Sequence, residues 1–350
     1  MSLLDKLNNF LTGVTINQKP IANPEISSTG KKPIFNGKKN TAKYYTAGEM
    51  SDEQIQATQT RSKYITTTKN ADYKVKSGDN FSKIAQKFGV ELRALLAANG
   101  MTKENANLKV GQILKIPPTR KVKNINSLND VAKSMGVSLD FIKKLKRLED
   151  GNIGDNKFHN TPYDDGGGVL TIGVGHVLKK GESRNLTNKQ VMELYAKDLL
   201  KMEDNIVTLL GSQKAYDKLP APIKEALLDM VFNKGTAIIE DTPGLLYCLK
   251  AGKYEAAINK FTHNKNAKGQ ELSGLSKRRL FDISIACKMY NGNIPQSNKN
   301  TIQNVYNRGV QLLREECKKH KKNFANQLAG YNKDIQGYFG NSIKIKLVTS

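Results

Sequence analysis

The sequence predicts an α+β protein: a mainly helical domain with a small β-hairpin lobe, preceded by a small β-α-α-β module. Within residues 71–118, two short segments of alternating apolar and polar residues flank two runs with helical spacing. A turn-forming run over residues 161–168 leads into a strand-like segment at residues 169–176. Apolar residues at helical spacing then recur after Thr187. These three observations indicate one compact module followed by a larger helical domain.

The charge balance indicates an acidic partner. The chain has 350 residues, with 56 Lys and Arg against 32 Asp and Glu, which gives a formal net charge of +24. At about 150 residues per domain, two to three domains are expected. An anionic cell-wall polymer, an anionic lipid surface and nucleic acid would all be attracted. Because the positive charge is spread along the chain, sequence-specific recognition of nucleic acid is not expected.

Several classes of protein are excluded by what the sequence lacks. No apolar run approaches the roughly 18 residues that a membrane span needs. The first residues make a poor signal peptide, so synthesis in the cytoplasm without one is expected. The three widely spaced cysteines, Cys248, Cys287 and Cys317, fit no zinc-binding spacing and are expected to be reduced. We therefore predict no metal and no cofactor.

The N-terminal segment, residues 1–70, lacks sustained periodicity and is expected to be an extended or disordered arm. It is rich in Asn, Thr, Lys, Gly and Ser. Apolar residues within residues 3–12 favour one short amphipathic helix. Two interpretations stay open for the rest, a disordered tail and an arm that becomes ordered on a partner.

Residues 71–118 carry the elements of the compact module. An alternating strand from Tyr73 is followed by a turn, a helix from Phe81 and a second helix over residues 90–99. A second strand is expected to close the module over residues 110–117. The order resembles a LysM module, on the motifs Tyr73-x-Val75-x-x-Gly78-Asp79 and Val110-Gly111-Gln112-x-Leu114-x-Ile116-Pro117.

The LysM resemblance implies that the module binds polymers containing N-acetylglucosamine in a shallow groove between two loops. The residues that the resemblance places near this groove are Gly78, Asp79, Asn80, Phe81, Asn107 and Leu108. Asn80 stands where the family usually has Thr. Direct sugar contact and a purely architectural module both stay open, because the turn and the helix cap also require Gly78 and Asp79.

Residues 119–140 are predicted to be a Lys-rich connector that leads into a helix. A DNA-binding helix-turn-helix is disfavoured, because the helix in the recognition position lacks Asn, Gln and Ser base readers. The helix is expected to continue through Leu145 and to end near Glu149. A negative charge at a helix C-terminus opposes the helix dipole, so a purely structural role would be the default for this residue in isolation.

The stretch from Glu149 onward resembles the catalytic segment of phage-type lysozymes. That family places a Glu at the end of its first helix, then a Tyr-x-Asp-x-x-Gly turn, then Thr-Ile-Gly-x-Gly-His. This chain has Glu149-Asp150-Gly151, Tyr163-Asp164-Asp165-Gly166-Gly167-Gly168 and Thr171-Ile172-Gly173-Val174-Gly175-His176. Further matches are Phe232-Asn233-Lys234-Gly235 and Gly274-Leu275-Ser276-Lys277-Arg278-Arg279. The resemblance predicts a lysozyme domain over residues 141–297 and a C-terminal extension over residues 298–350.

The resemblance implies that Glu149 is the general acid, that Asp165 is the base that orients water, and that Thr171 helps to hold this water. Cleavage of a glycosidic bond by inversion needs such a pair of carboxyl groups. The acid works only if its surroundings raise its pKa toward the operating pH. Spacing to Thr171 favours Asp165 over its neighbour Asp164. An enlarged loop at the cleft rim is expected over residues 151–160.

Other polar residues near this stretch are expected to be structural. His176 is predicted to make a structural hydrogen bond, and Arg278 and Arg279 are predicted to stabilise the helical lobe by ion pairing. In the C-terminal extension, a basic amphipathic helix is expected, and residues 342–348 alternate like a strand. The extension is expected to dock on the enzyme or on a partner.

Together these features predict a peptidoglycan hydrolase (lysozyme, EC 3.2.1.17) that cleaves the β-1,4 bond between N-acetylmuramic acid and N-acetylglucosamine. It would act on the cell wall, in the periplasm or outside the cell. A free endolysin fits, and so does a particle-associated lysozyme of a phage tail or injection-machine baseplate bound through residues 1–70 or 298–350. The arm and the extension slightly favour the particle-associated lysozyme, because a free enzyme needs neither. The alternative is a catalytically inactive peptidoglycan-binding structural component, which the set Glu149, Asp165 and Thr171 disfavours.

Overall fold

The computed structural model describes residues 56, 59–102, 106–164, 168–266, 268–340 and 343–349. In this part of the chain, helices dominate and three small antiparallel sheets accompany them, which confirms the predicted α+β class. None of the helices in these ranges is long and apolar enough to cross a membrane. The helix predicted over residues 3–12 lies outside the described residues.

The elements are numbered in chain order. The strands are β1 (Ile65–Thr67), β2 (Ala71–Lys74), β3 (Ile113–Ile116), β4 (Arg120–Val122), β5 (His159–Asp164), β6 (Leu170–Gly173) and β7 (His176–Val177). The first helices are α1 (Phe81–Phe88), α2 (Leu92–Ala98), α3 (Leu128–Met135), α4 (Leu139–Glu149), α5 (Asn188–Leu210), α6 (Gln213–Asp217) and α7 (Ala221–Lys234). The later helices are α8 (Ala237–Glu240), α9 (Leu245–Lys250), α10 (Tyr254–Ile258), α11 (Ser273–Ala286), α12 (Gln296–Lys319) and α13 (Phe324–Phe339), with a 3₁₀ turn at Cys287–Tyr290.

The small N-terminal module has the order β2-α1-α2-β3. Its two strands pair antiparallel, with Tyr73 opposite Leu114. Its own small core is formed by Tyr73, Val75, Ile84, Ala85, Leu95, Leu114 and Ile116. The amide of Asn99 joins α2 to β3, because its Nδ2 donates to the Lys115 carbonyl and its Oδ1 accepts from the Lys115 N–H, both at 2.9 Å. The module therefore has a core and a closing strand pair of its own.

A two-stranded ribbon holds this module at both ends. Strand β1 enters the module and β4 leaves it, and the two pair antiparallel with Ile65 opposite Val122. Both of these side chains are partly buried against the large core of the following domain. This arrangement differs from the expected arm that runs to residue 70 and connector that starts at residue 119. The ribbon forms because its apolar side chains are covered by the larger domain.

A buried ion-pair cluster anchors the ribbon on α5. Glu203 is fully buried, and its Oε1 accepts from Arg61 Nη2 and from Arg120 Nη1, each at 2.6 Å. Arg61 also donates from Nε to the Ser134 carbonyl at 2.8 Å. Burial raises the pKa of the Glu203 carboxyl, but the charges of Arg61 and Arg120 outweigh it, and the net shift is downward. The carboxylate is therefore held in its ionised form.

The module also touches the larger domain outside the ribbon. Helix α2 packs against α5. Two ion pairs join the module to the larger domain, Glu91 with Lys201 of α5 at 3.2 Å and Arg93 with Glu240 of α8 at 2.7 Å. All four side chains are at least 30% exposed, so each pair contributes about 0–1 kcal/mol. The ribbon and its buried cluster, rather than these pairs, fix the position of the module.

The large core extends beyond the domain that the motifs delimit. Helix α3, in the predicted connector, contributes Val131 and Met135 to the same core as α5, α7 and α11. The C-terminal extension also docks on this core, because α12 and α13 pack against α11. The strand expected over residues 342–348 is wrong for the described residues 343–349, which contain no strand. There, Lys346 and Val348 donate their N–H groups to Gln303 Oε1 and Tyr306 Oη, at 2.9 and 2.8 Å.

The β-lobe follows the end of α4. Its strands are ordered β5-β6-β7, with Tyr163 opposite Thr171 and Ile172 opposite His176. Helix α4 begins at the N-cap Ser138, whose hydroxyl accepts from the Phe141 N–H at 3.1 Å. The chain turns directly after Glu149, since Gly151 has a φ of +70°, which glycine adopts readily. This turn places Glu149 at the junction of the helix and the lobe.

Candidate active site

Glu149 lies in a pocket between three elements. Its side chain is 19% exposed. The turn between β6 and β7 covers one side, where Gly175 has a φ of +69°. A Cβ atom at Gly175 would lie 3.5 Å from Glu149 Oε2 and 3.7 Å from the Phe232 ring of α7. The carboxyl group is therefore enclosed by a helix end, a glycine turn and an aromatic ring, with a small opening to solvent.

Arg278 of α11 connects Glu149 to a second buried carboxylate. Its Nη2 donates to Glu149 Oε1 at 2.6 Å. The same guanidinium donates from Nε and Nη2 to the two oxygens of Asp229 on α7, at 2.7 and 2.8 Å. Asp229 is fully buried. The predicted ion-pairing role of Arg278 thus extends to Glu149 itself.

The pKa of Glu149 is raised above its usual value. Burial is the largest cause, because it penalises the charged form. Arg278 opposes this effect by charge and by its hydrogen bond, while Asp229 and Asp150 add to it. The net upward direction is what a general acid requires, since it must hold a proton near neutral pH.

The expected loop after α4 is fastened to the helix by a buried lysine. Lys146 is fully buried, forms an ion pair with Asp150, and donates to the carbonyls of Gly154 and Lys157 at 2.8 and 2.6 Å. On the surface, Arg147 Nε donates to Asp155 at 2.8 Å. These contacts hold the loop against α4 next to Glu149.

Of the two other residues in the predicted catalytic set, Thr171 lies in the part of the chain that the structure describes. Thr171 is buried on β6, and its hydroxyl donates to the Tyr163 carbonyl at 3.3 Å. Asp165 lies outside the described residues. Its neighbour Asp164 is the exposed last residue of β5 and accepts from the Gly168 N–H at 3.0 Å. Asp164 thus takes part in the turn between β5 and β6.

His176 is held between two carboxylates on the β-lobe. Its Nδ1 lies 2.8 Å from Asp198 Oδ2 on α5, and its Nε2 lies 3.1 Å from Glu182 Oε2. The hydrogen bond with Asp198 is the largest cause of the raised pKa of His176. The geometry agrees with the structural role predicted for this residue, because both ring nitrogens contact carboxylates, one of which lies on α5.

The residues predicted near the LysM groove lie in its two loops, and several have structural partners. Asp79 accepts from the Tyr73 hydroxyl and the Lys76 N–H, both at 2.8 Å, and the Lys76 bond is the first cause of its lowered pKa. Asn80 is the N-cap of α1 and accepts from the Lys83 N–H at 2.8 Å. The others are Gly78 with a φ of +81°, the partly buried Phe81 and Leu108, and the exposed Asn107.

Sequence reasoning missed Asp229 and the Lys146–Asp150 pair. A signal for Asp229 was present, because it is a lone acidic residue in the apolar run from Ala226 to Phe232. A charge buried in such a helix is normally paired. Across the described ranges, no group of three or more His, Cys, Asp or Glu side chains is arranged to hold a metal ion.

The comparisons with known proteins agree with this class of fold. The phage lysozyme family model matches residues 156–281, and the LysM domain model matches residues 73–117. The SAR-endolysin of Escherichia phage Mu is 34% identical over 125 residues, which are 35% of this chain and 69% of that protein. The chain belongs to the phage lysozyme family and carries a LysM domain. The resemblance found in the motifs is thereby confirmed.

Two further similarities cover parts of the chain. Peptidoglycan hydrolase gp36 of Enterobacteria phage SP6 is 24% identical over 180 residues, which are 45% of this chain. This chain spans 18% of the length of that protein. A crystal structure of a P22 lysozyme point mutant is 28% identical and covers 43% of this chain and 96% of its own, with a TM-score of 0.33.

Proposed function

We propose that this protein is a peptidoglycan hydrolase of the lysozyme type, which cleaves the β-1,4 bond between N-acetylmuramic acid and N-acetylglucosamine. The observation that carries the proposal is the enclosed carboxyl of Glu149 at the junction of α4 and the β-lobe, with its raised pKa. Family membership and the peptidoglycan hydrolase name of the SP6 relative support the choice of substrate.

In the proposed mechanism, two carboxyl groups divide the work. Glu149, protonated, donates its proton to the glycosidic oxygen as the bond breaks. Asp165 accepts a proton from the attacking water, and the Thr171 hydroxyl helps to position this water. Such an inverting reaction needs about 6.5–9.5 Å between the two carboxyl groups. Both protons are accounted for, because one leaves with the alcohol product and one is held by Asp165.

We propose that the LysM domain binds the same polymer. The groove would lie between the loop at Gly78–Phe81 and the loop that contains Asn107 and Leu108. Because Asp79 and Asn80 are engaged in the turn and the helix cap, their backbone groups and the exposed Asn107 are the better candidates for sugar contact. Binding there would raise the local concentration of the hydrolase on its substrate.

We favour a lytic enzyme that acts on the cell wall over a lysozyme held in a baseplate. Helices α12 and α13 of the C-terminal extension pack on their own domain. One face of the segment that a baseplate partner would bind is therefore already covered. The endolysin of phage Mu supports the same choice. Co-purification of the protein with assembled phage particles would contradict it.

Product analysis tests the proposed reaction. Purified cell walls are digested, the new ends are reduced with borohydride, and the sugars are identified. Reducing-end muramic acid is expected, and it should disappear for Glu149→Gln. Glu315→Gln, at an exposed position on α12, is the matched control and should keep full activity. Reducing-end glucosamine, or release of peptides with intact glycan, would overturn the assignment of the bond.

A further inference from the structure

The contact between Glu149 and Arg278 opposes the retention of a proton on Glu149, which a general acid requires. A guanidinium group at hydrogen-bond distance favours the ionised form of a carboxyl group. Arg278 Nη2 lies 2.6 Å from Glu149 Oε1, and the arginine side chain is 10% exposed. With full positive charge on Arg278, Glu149 would lose its proton too easily to donate it near neutral pH.

Asp229 lies where its carboxylate can offset the charge of Arg278. It accepts two hydrogen bonds from Arg278, at 2.7 and 2.8 Å, which is the bidentate geometry of a strong carboxylate–guanidinium pair. Its side chain is fully buried, so water screens the pair little. The arginine therefore reaches Glu149 as one half of a neutral pair, with its orientation set by the other half.

We propose that Asp229 is a positioning residue that holds Arg278 and offsets its charge, so that Glu149 keeps its proton until the glycosidic bond breaks. The proposal rests on the proposed function of Glu149 as the acid. The proposal explains why an acidic residue, Asp229, stands in the apolar run of α7. Asp229 acts through Arg278 and does not touch the reacting atoms.

Two further charged side chains of α11 lie next to this pair. Asp282 faces Asp229, and burial raises the pKa of Asp282 well above its usual value. Arg279 Nε lies 2.8 Å from Asp282.

The groups that face the site from the remaining elements are neutral or paired. Tyr195 of α5 is fully buried, with its pKa raised well above the usual value, and burial raises the pKa of Tyr338 on α13 to about 12. Asp150, which follows α4, is paired with Lys146. Neutralising Asp229 would therefore leave the positive charge of Arg278 facing Glu149.

The pH dependence of hydrolysis tests the proposal. In Asp229→Asn, Arg278 stabilises the Glu149 carboxylate, so the pKa of Glu149 falls and the acid form is lost at lower pH. The alkaline limb of kcat/KM on soluble glycan fragments should move down by about one pH unit. The acidic limb should stay in place. Loss of a merely structural contact would lower activity across the whole range and leave the limbs unmoved.

A matched control lies one residue away on the same helix. Lys277 pairs with Asp334 at 2.6 Å on the surface, where both side chains are at least 34% exposed. Asp334→Asn also removes a carboxylate from a cation of α11, but far from the acid, and its pH profile should equal that of the native protein. An alkaline limb that is unchanged in folded Asp229→Asn would overturn the proposal.

Two further measurements keep the test independent of folding and of the proposed reaction. If Asp229→Asn does not fold, Arg278→Gln should move the alkaline limb in the opposite direction, to higher pH, and an unchanged limb would overturn the proposal. A carbon-13 titration of the Glu149 carboxyl, without substrate, should give a lower pKa in Asp229→Asn than in the native protein. The titration decides the role of Asp229 even if product analysis shows another bond to be cleaved.

Discussion

Two glutamates of this protein, one buried and one partly buried, bind arginine, and the pKa values of their carboxyl groups move in opposite directions. Glu203 on α5 is buried, which raises its pKa, but Arg61 and Arg120 together lower it further than burial raises it. Glu149 at the end of α4 is partly buried, and there burial outweighs Arg278, which is shared with Asp229. Glu203 lies within hydrogen-bond distance of two guanidinium groups and Glu149 of one, and this difference accounts for the opposite signs.

This difference separates a structural carboxylate from a chemical one. Two arginines hold Glu203 ionised, and through it the ribbon β1–β4 is fixed to the larger domain. At Glu149 one guanidinium is divided between two carboxyl groups, and the pKa of Glu149 is raised, which the proposed role as general acid requires. The same types of side chain anchor a domain in one place and form the proposed acid site in the other.

The largest effect is expected from Glu149→Gln. The amide keeps the shape of the side chain but has no acidic proton, so hydrolysis of purified walls should fall by about 10²–10⁴-fold. Wall binding should persist, because the LysM domain is untouched. A pelleting assay run beside the turbidity assay measures both quantities. Equal clearing by the variant and the native protein would refute the assignment of the acid.

The second largest effect is expected from Glu203→Gln. The substitution leaves the charges of Arg61 and Arg120 without their buried carboxylate, which should cost about 3–5 kcal/mol of the free energy of unfolding. Urea unfolding followed by circular dichroism measures the loss. At temperatures where the variant is folded, its kcat should stay close to the native value. A fall in kcat without loss of stability would contradict the structural role of this glutamate.

The pH dependence of stability should differ in sign between the two glutamates. The lowered pKa of Glu203 gives a contribution to stability that is present above about pH 4.5 and is lost as the pH falls through its folded-state pKa. The raised pKa of Glu149 makes the native protein lose stability as the pH rises from about 4.5 through its folded-state pKa. Each unit of difference between the folded-state and unfolded-state pKa of a carboxyl group corresponds to about 1.4 kcal/mol of the free energy of unfolding.

These two contributions can be separated by urea titrations of the native protein and both variants between pH 3 and pH 7. Glu149→Gln should become more stable relative to the native protein as the pH rises. Glu203→Gln should become less stable relative to it over the same range. Parallel curves for the two variants would contradict the comparison.

The smallest effect on the larger domain is expected from removal of the LysM domain. Thr68 and Thr119 close the ribbon, since the Thr68 N–H donates to the Thr119 carbonyl at 2.9 Å. Replacing residues 69–118 by Asn-Gly should join β1 and β4 in a two-residue hairpin and keep the Glu203 cluster. The free energy of unfolding should change by about 1 kcal/mol or less, because the lost ion pairs are exposed.

The same variant tests the proposed function of the LysM domain. Retention on walls should weaken, while cleavage of soluble glycan fragments should stay near the native rate. Unchanged retention would show that the domain is architectural. Unfolding of the variant would show that the module, rather than the Glu203 cluster, supports the ribbon.

Much of this organisation was predictable from the sequence, because it depends on local patterns. The alternating and helical periodicities predicted the β-α-α-β module and the α+β class, and the motifs led to Glu149 through its place at a helix end before the Tyr-x-Asp and Thr-Ile-Gly segments. The strand predicted over residues 342–348 was wrong because it was based on alternation alone. The backbone N–H groups of Lys346 and Val348 bind side chains of α12 instead of a neighbouring strand.

The remaining features depend on contacts between residues that are distant in the chain. Strands β1 and β4 are three residues each and lie on either side of a whole domain, so neither shows a pattern of its own. Asp229 meets Arg278 across 49 residues. No local sequence pattern indicates which arginine a buried carboxylate contacts. The pKa of Glu149 depends on that contact.

The most direct test of the central claim is a carbon-13 titration of both glutamates in one sample of the native protein. Selective labelling and the two Gln variants assign the carboxyl signals of Glu149 and Glu203. The account predicts that Glu149 titrates above the usual glutamate pKa of about 4.3 and that Glu203 titrates below it. Titration of both carboxyl groups on the same side of that value would contradict it.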